Sequence, residues 1–329
     1  VIRASRELVK LGYKVTVYAN PTEDCEIDGV NYVSSHSFSL KDEFNILIVW
    51  RSVNLFDYNL KAKKKILWLH DVQSPLDYTE ERVNKIDKIL CLSDAHVETF
   101  VNEKNSSYLK DKILVTSNGI DVEEIEETEK SKKIKRNPHK IIYTSSYDRG
   151  LQHLLEMWSD IKKEVPEAML YICYGWNTFD KMFNNNPERQ AWKEHINGLM
   201  NQDGIVHLGR IGQDKIIEET LSSGIWAYPT HFYEINCITA IKCQAMGAIP
   251  VVCDYAALKQ TSRYGIKINV DELDIYEPEI KDEYKSKLIE LLKDTKTNCG
   301  VDRTEMMKWA RDEYSWRKIV KEWDKEFKK

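Results

Sequence analysis

At 329 residues, with 42% hydrophobic and 31% charged side chains, the chain has ordinary globular composition and length enough for two medium domains. A formal net charge of −5 argues against general nucleic-acid binding, and no apolar run approaches the roughly 18 to 20 residues of a membrane-spanning helix. The seven cysteines are scattered, odd in number and lack a Cys-x-x-Cys pair, so they support neither a zinc site nor a disulfide framework and point to the cytoplasm.

Taken in order, residues 1–10 read as a helix ended at Gly12, with a strand at 14–19. Runs rich in Val, Ile and Leu predict further strands at 45–49, 65–69, 88–92 and 112–116, of the kind buried on both faces of a parallel sheet. Intervening segments such as 95–102 read as helices, giving a doubly wound domain over 1–122. The cluster from Lys61 to Lys65 reads as a solvated helix end rather than a contact for an anionic membrane surface. Dense mixed charge without apolar period, ending in Asn137-Pro138, predicts a solvated linker over 123–140.

The same grammar then restarts. A strand at 141–145 precedes a helix over 151–165, whose apolar residues at 151, 154, 155, 158, 161 and 165 keep a helical period. Strands follow at 169–174, 205–208, 225–228 and 249–253, within a second domain over 141–302. Residues 303–329 read as an amphipathic end helix carrying Trp309, Tyr314, Trp316, Val320 and Trp323.

The most informative stretch runs from Tyr228 to Val252 as strand, loop, helix and strand. The loop carries one acid, Glu234, and the helix stops at Gly247. In an open α/β sheet, ligands bind at loops leaving the carboxyl ends of strands. The helix start around Asn236, Cys237 and Ile238 offers N–H groups and positive potential to an anion such as a diphosphate. An acid in the same loop suits sugar hydroxyls, so the pair suggests a sugar nucleotide. Taken by itself, the segment is also readable as an ordinary βαβ unit with a surface Glu.

This stretch resembles the donor-site signature of the retaining glycosyltransferases of family 4, which have the GT-B fold: two Rossmann-like doubly wound domains, a cleft between them and a C-terminal helix crossing back to the first domain. Glu234 fits the first acid of the signature, and Gly247, Pro250 and Val251 fit its tail with one extra residue. The second acid, expected eight residues after Glu234, is Lys242 here, a departure at the position that usually holds the ribose.

Further phrases carry the resemblance across most of the chain. The opening helix, Gly12 and the strand at 14–19 resemble the family's first helix and second strand, which implies a first strand and glycine-rich loop upstream and a first domain lacking its first strand. His70, in Leu67-Trp68-Leu69-His70-Asp71, matches a family His near donor sugar and acceptor, with a pKa suited to proton exchange near neutrality. Arg149-Gly150, in the loop with Ser146, matches a diphosphate-binding Lys-Gly. A guanidinium there clamps phosphate through two bonds. The earlier Arg of that loop is absent, and hydroxyls, helix N–H groups or Lys242 are the compensations considered. Tyr174-Gly175 and Gly209-Arg210 match segments near the nucleotide. Ser117-Asn118-Gly119-Ile120-Asp121 matches the turn that closes the first domain, with Asn-Gly permitting positive φ. Ser93-Asp94-Ala95 reads as a helix N-cap.

Neither a Gly-x-Gly-x-x-Gly nor a Walker loop is visible, which weakens dehydrogenase and kinase readings, and no Asp-x-Asp triplet implies a metal-bound donor. The resemblance implies a retaining, metal-independent hexosyltransferase using a nucleotide-diphosphate sugar and no cofactor. Glu234 and His70 would be catalytic, and a glycan, lipid-linked sugar or protein would be the acceptor. The rival readings are a GT-B sugar-nucleotide-binding protein without turnover and, behind it, an epimerase or a phosphorylase.

Overall fold

The structure, a computed structural model, describes residues 1–270 and 275–329. Two compact units divide it, one formed by Val1–Asp121 with Asp312–Lys329, the other by Val122–Arg311.

In the first unit, strands β1 (Val15–Ala19), β2 (Cys25–Ile27) and β3 (Val30–Ser34) form one sheet in the order β1-β3-β2. Strands β4 (Glu43–Trp50), β5 (Lys61–Trp68), β6 (Lys88–Cys91) and β7 (Ile113–Val115) form a second, wholly parallel sheet in chain order. The β2–β3 hairpin was not foreseen. Its signal is Asp28-Gly29, whose φ values of 54° and 76° suit the tight turn that Asp-Gly favours between paired strands.

The last helices explain how the chain's end joins this unit. The expected single helix over 303–329 is broken at Ser315 into Arg303–Tyr314 and Trp316–Phe327, with the Ser315 hydroxyl capping the second. Ile319, Val320, Trp323 and Phe327 pack with Ala4 and Leu8 of the first helix and with Ile66 and Trp68 of β5. The Trp323 indole donates to Thr116 Oγ1 at 2.9 Å, and Tyr13 donates to Asp324 at 2.7 Å. Gly119 is required for space, not for positive φ: a Cβ there would stand 2.5 Å from the Trp316 ring. Lys61–Lys65, expected as a helix end, is instead the first half of β5. Lys64 donates to the Glu326 carbonyl at 3.0 Å, at the end of the last helix.

The second unit is one parallel sheet of β8 (Asn137–Tyr143), β9 (Met169–Cys173), β10 (Ile205–Gly209), β11 (Ser223–Tyr228), β12 (Ile249–Cys253) and β13 (Ile266–Ile268). Its order is β10-β9-β8-β11-β12-β13, the Rossmann arrangement, and it reverses direction between β8 and β11. β11 and β12 are buried at every position, which is why their sequences are continuous apolar runs without alternation.

The charged linker expected over 123–140 is corrected. Val122–Lys132 is helical and β8 begins at Asn137. Glu and Lys are good helix formers, and Ile125 alone anchors the helix by burial, so no apolar period was there to be read. Pro138 lies inside β8 where the register with β11 shifts, against Gly224.

Candidate functional site

The reversal between β8 and β11 leaves their outgoing loops side by side, and the two loops carry Arg149 and Glu234. Arg149 closes a turn whose N–H returns to the Ser146 carbonyl at 3.0 Å. Gly150 then starts the helix Leu151–Glu164 with φ of 109°. A Cβ at Gly150 would overlap the Pro229 carbonyl, so glycine lets the β8 loop lie directly on the end of β11.

That approach brings the charges together. Arg149 Nη1 donates to Glu234 Oε1 at 3.3 Å, and the Tyr228 hydroxyl donates to the same oxygen at 2.7 Å. The guanidinium also lies 3.9 Å from the centre of the Phe232 ring. The Glu234 backbone carbonyl accepts from Ala257 N–H at 2.9 Å, which anchors the loop to the segment after β12. Glu234 is 6% exposed. Burial pushes its pKa above the ordinary carboxylate value, and the bonds from Tyr228 and Arg149 pull against that rise. For Arg149, burial is the largest influence and lowers the pKa, but Glu234, Tyr228, Asp148 and Tyr174 together outweigh it and the net shift is upward. Tyr228 is fully buried and its pKa is driven well up by burial, so it stays a donor. Sequence reasoning passed over Tyr228. The signal was a hydroxyl at the end of a buried strand, where it must find a partner.

The other residues expected at this site fall around that pair. Ser146 donates to Asp148 at 2.6 Å, and Asp148 stands 3.5 Å from Arg189, two contacts not foreseen. Asn236 and Cys237 are buried at the start of the helix Ile238–Ala245. The Ile238 N–H donates to the Asn236 carbonyl at 3.2 Å. Burial pushes the Cys237 thiol far above its usual pKa, which leaves it an inert packing group. Lys242 Nζ donates to Gln213 at 3.3 Å, beside the first turn of the helix that follows β10.

Tyr174, Gly175, Gly209 and Arg210 also come together. Tyr174 N–H donates to the Gly209 carbonyl at 2.9 Å, and a Cβ at Gly175 would stand 2.8 Å from Arg210 N. Tyr174 holds φ of 130°, a strained value for a residue with a side chain. Tyr147 joins this region to the Arg149 loop. Its hydroxyl accepts from Gly175 N–H at 2.9 Å and meets His207 Nε2 at 2.8 Å.

His70 belongs to the other unit, at the end of β5, between the rings of Trp68 at 4.6 Å and Trp50 at 5.7 Å. Burial, aided by the Arg51 cation, lowers its pKa to about 3, and its Nε2 is covered with no hydrogen-bond partner. The expectation of proton exchange near neutrality is therefore corrected: this imidazole stays neutral at physiological pH.

Among the described residues, no group of three or more His, Cys, Asp and Glu is placed to hold a metal, and no helix is long and apolar enough to cross a membrane.

No family model matches the sequence, and no curated protein matches it. Solved structures do. Sucrose-phosphate synthase from Thermosynechococcus elongatus superposes with a TM-score of 0.69 at 10% identity, covering 99% of this chain and 91% of that one. A glycosyltransferase from Rickettsia africae ESF-5 gives 0.66 at 15% identity, over 99% and 93% of the two chains. The pneumococcal O-GlcNAc transferase GtfA, solved with UDP and GlcNAc, gives 0.59 at 16% identity over 85% of this chain. This chain spans only 56% of the length of that transferase, and 54% of the chain of the GtfA/B complex. At such identities the likeness establishes architecture, and the architecture is GT-B: two Rossmann-like α/β domains built on parallel sheets.

Proposed function

We propose that this protein transfers a hexose from a nucleoside diphosphate sugar to an acceptor hydroxyl, with retention of anomeric configuration and without a metal ion. The observation that carries this reading is the meeting of Arg149 and Glu234 at the reversal point of the second sheet, 3.3 Å apart. A cation and a buried acid at that place match the two halves of such a donor, its diphosphate and its sugar hydroxyls. Solved neighbours support the nucleotide, since one of them was determined with UDP and GlcNAc and another with UDP-glucose.

In this reading the bond from the anomeric carbon to the diphosphate oxygen breaks while a bond to the acceptor oxygen forms. Negative charge grows on the leaving diphosphate. Arg149 and the amino end of the helix Ile238–Ala245 face it, fixed before the reaction starts. The acceptor proton passes to the leaving phosphate on the same face. Glu234 holds donor hydroxyls rather than attacking, because a double displacement needs a second placed carboxylate. His70 stays neutral and acts on the acceptor side through shape and polarity. Seven unpaired cysteines suit a reducing compartment, and we place the protein in the cytoplasm.

A second reading, a sugar-nucleotide-binding protein without turnover, is favoured by Lys242 at the place where the family signature has its second acid. Thermal stabilisation by UDP, GDP, ADP, dTDP and CMP, with and without magnesium, tests the donor site. Release of the nucleoside diphosphate from the matching nucleotide sugar then separates the two readings. Flat melting curves throughout would remove both.

A further inference from the structure

The carboxyl ends of β4 and β5 carry a second group of reactive side chains that the donor reading does not use. Register pairs Trp50 with Trp68, and the next residue, Arg51, donates its N–H to the Trp68 carbonyl at 2.9 Å while holding φ of 71°. Left-handed backbone is disfavoured for a residue with a Cβ and persists only where its surroundings hold it. The Arg51 guanidinium lies 4.5 Å from the centre of the Trp50 ring. Its Nη1 donates to Asp71 and stands 2.8 Å from each carboxylate oxygen.

Stability does not account for this group. Trp50 is 47% exposed, and the Arg51 and Asp71 side chains are 45% and 46% exposed. A solvated ion pair contributes little, the backbone conformation costs, and a half-open indole buries little of itself. Local rules broken together without a stabilising return mark a functional place.

The chemistry narrows the ligand. The exposed part of the indole attracts the C–H hydrogens on one face of a pyranose, because an aromatic face is negative and those hydrogens are positive. The paired guanidinium and carboxylate offer donors and acceptors side by side, which matches neighbouring hydroxyls that both give and accept. An anionic ligand fits worse. The Arg51 charge is already met by Asp71, whose carboxylate would repel a phosphate or a uronate.

We propose that Trp50, Arg51 and Asp71 form a saccharide-binding subsite for a neutral pyranose, which serves as the acceptor sugar. The sugar's role as acceptor rests on the transferase reading, whereas its binding here does not.

The test labels the nine tryptophans of the full chain with 5-fluorotryptophan and assigns the Trp50 fluorine resonance by its loss in Trp50→Phe. Maltose, cellobiose, lactose and methyl glycosides are titrated without nucleotide, beside glucuronate and glucose 6-phosphate. UDP stabilisation is measured separately by melting. At least one neutral saccharide should move the Trp50 resonance saturably, with the anions roughly tenfold weaker or more, and Asp71→Asn should weaken the neutral ligand about tenfold. Arg51→Gly relaxes the backbone, so it should weaken saccharide binding without lowering the melting temperature. A merely structural Arg51 would do the reverse, and that result overturns the assignment. A Trp50 resonance unmoved by any neutral saccharide while UDP still stabilises the protein sinks the subsite and leaves the transferase reading standing. Anions binding more tightly than neutral sugars also overturn it. Saccharide binding with no response to any nucleotide supports the subsite and removes the transferase reading.

Discussion

Arg149 and Glu234 are 85 residues apart in the chain and 3.3 Å apart in the fold. They meet because β8 and β11 are hydrogen-bonded neighbours, although β9, β10 and four helices separate them in the chain. Each charge is the other's partner. In the proposed function, a diphosphate bound by Arg149 would loosen its hold on Glu234 and offer the acid to sugar hydroxyls.

Removing the cation tests the donor half. Arg149→Ala should weaken the best nucleoside diphosphate by about 10- to 100-fold, the range expected for lost charge-assisted hydrogen bonds. Isothermal titration reads it directly. Unchanged affinity would remove Arg149 from the diphosphate site.

The buried acid should leave a mark on stability. Its pKa is raised in the folded state, so the fold holds the proton more tightly than the unfolded chain does. Stability from this group is full below the ordinary carboxylate value and is lost as pH rises through the raised one. Glu234→Gln should be free of that loss. Urea melts of the two proteins should diverge in the variant's favour as pH rises through that window, while sugar transfer falls. Parallel curves would mean that the carboxylate is not destabilised by burial.

Tyr228→Phe removes one of the two donors to the carboxylate oxygen. The expected loss is about 1–3 kcal/mol, the cost of leaving a buried polar group underbonded. The pH at which the Glu234 effect appears should move upward. Denaturant titration at several pH values measures both.

Gly150→Ala places a Cβ against the Pro229 carbonyl at a φ of 109°. Crowding and backbone strain together should destabilise the second unit by more than about 2 kcal/mol and displace Arg149. Circular dichroism melting and nucleotide affinity should fall together. A variant that melts normally would show that the two loops have room to part.

His70 gives a prediction of opposite sign. Its pKa is lowered from 6.5 to about 3, so the fold rejects a proton that the unfolded chain accepts. That contribution is full above 6.5 and fades as pH falls toward 3. His70→Gln should reduce the protein's acid sensitivity across this window. A pH profile of the proposed sugar transfer should show no inflection near neutral pH that His70→Gln removes.

Local chemistry made much of this legible. Continuous apolar runs marked the buried strands β6, β11 and β12, whereas β4 and β7, expected to be buried on both faces, are only partly covered, and Glu234, Gly247 and Pro250 marked the loop and helix between β11 and β12. Other features were hidden for identifiable reasons. The helix at Val122–Lys132 is held by one buried isoleucine within a run of charge, so its periodicity was too weak to see. The hairpin at Asp28-Gly29 was signalled by its turn residues but is flanked by strands of only three and five residues.

The alternation of strands and helices, and with it two doubly wound units, was determined by the sequence alone, because burial on both faces writes itself into local apolar runs. Which loops meet was decided only by tertiary structure. That Gly150 lies against Pro229, that Arg149 reaches Glu234, and that His70 is held neutral beside Trp50 and Arg51 all depend on contacts between segments apart in the chain. Strand order sets those contacts, and no single stretch of residues carries it.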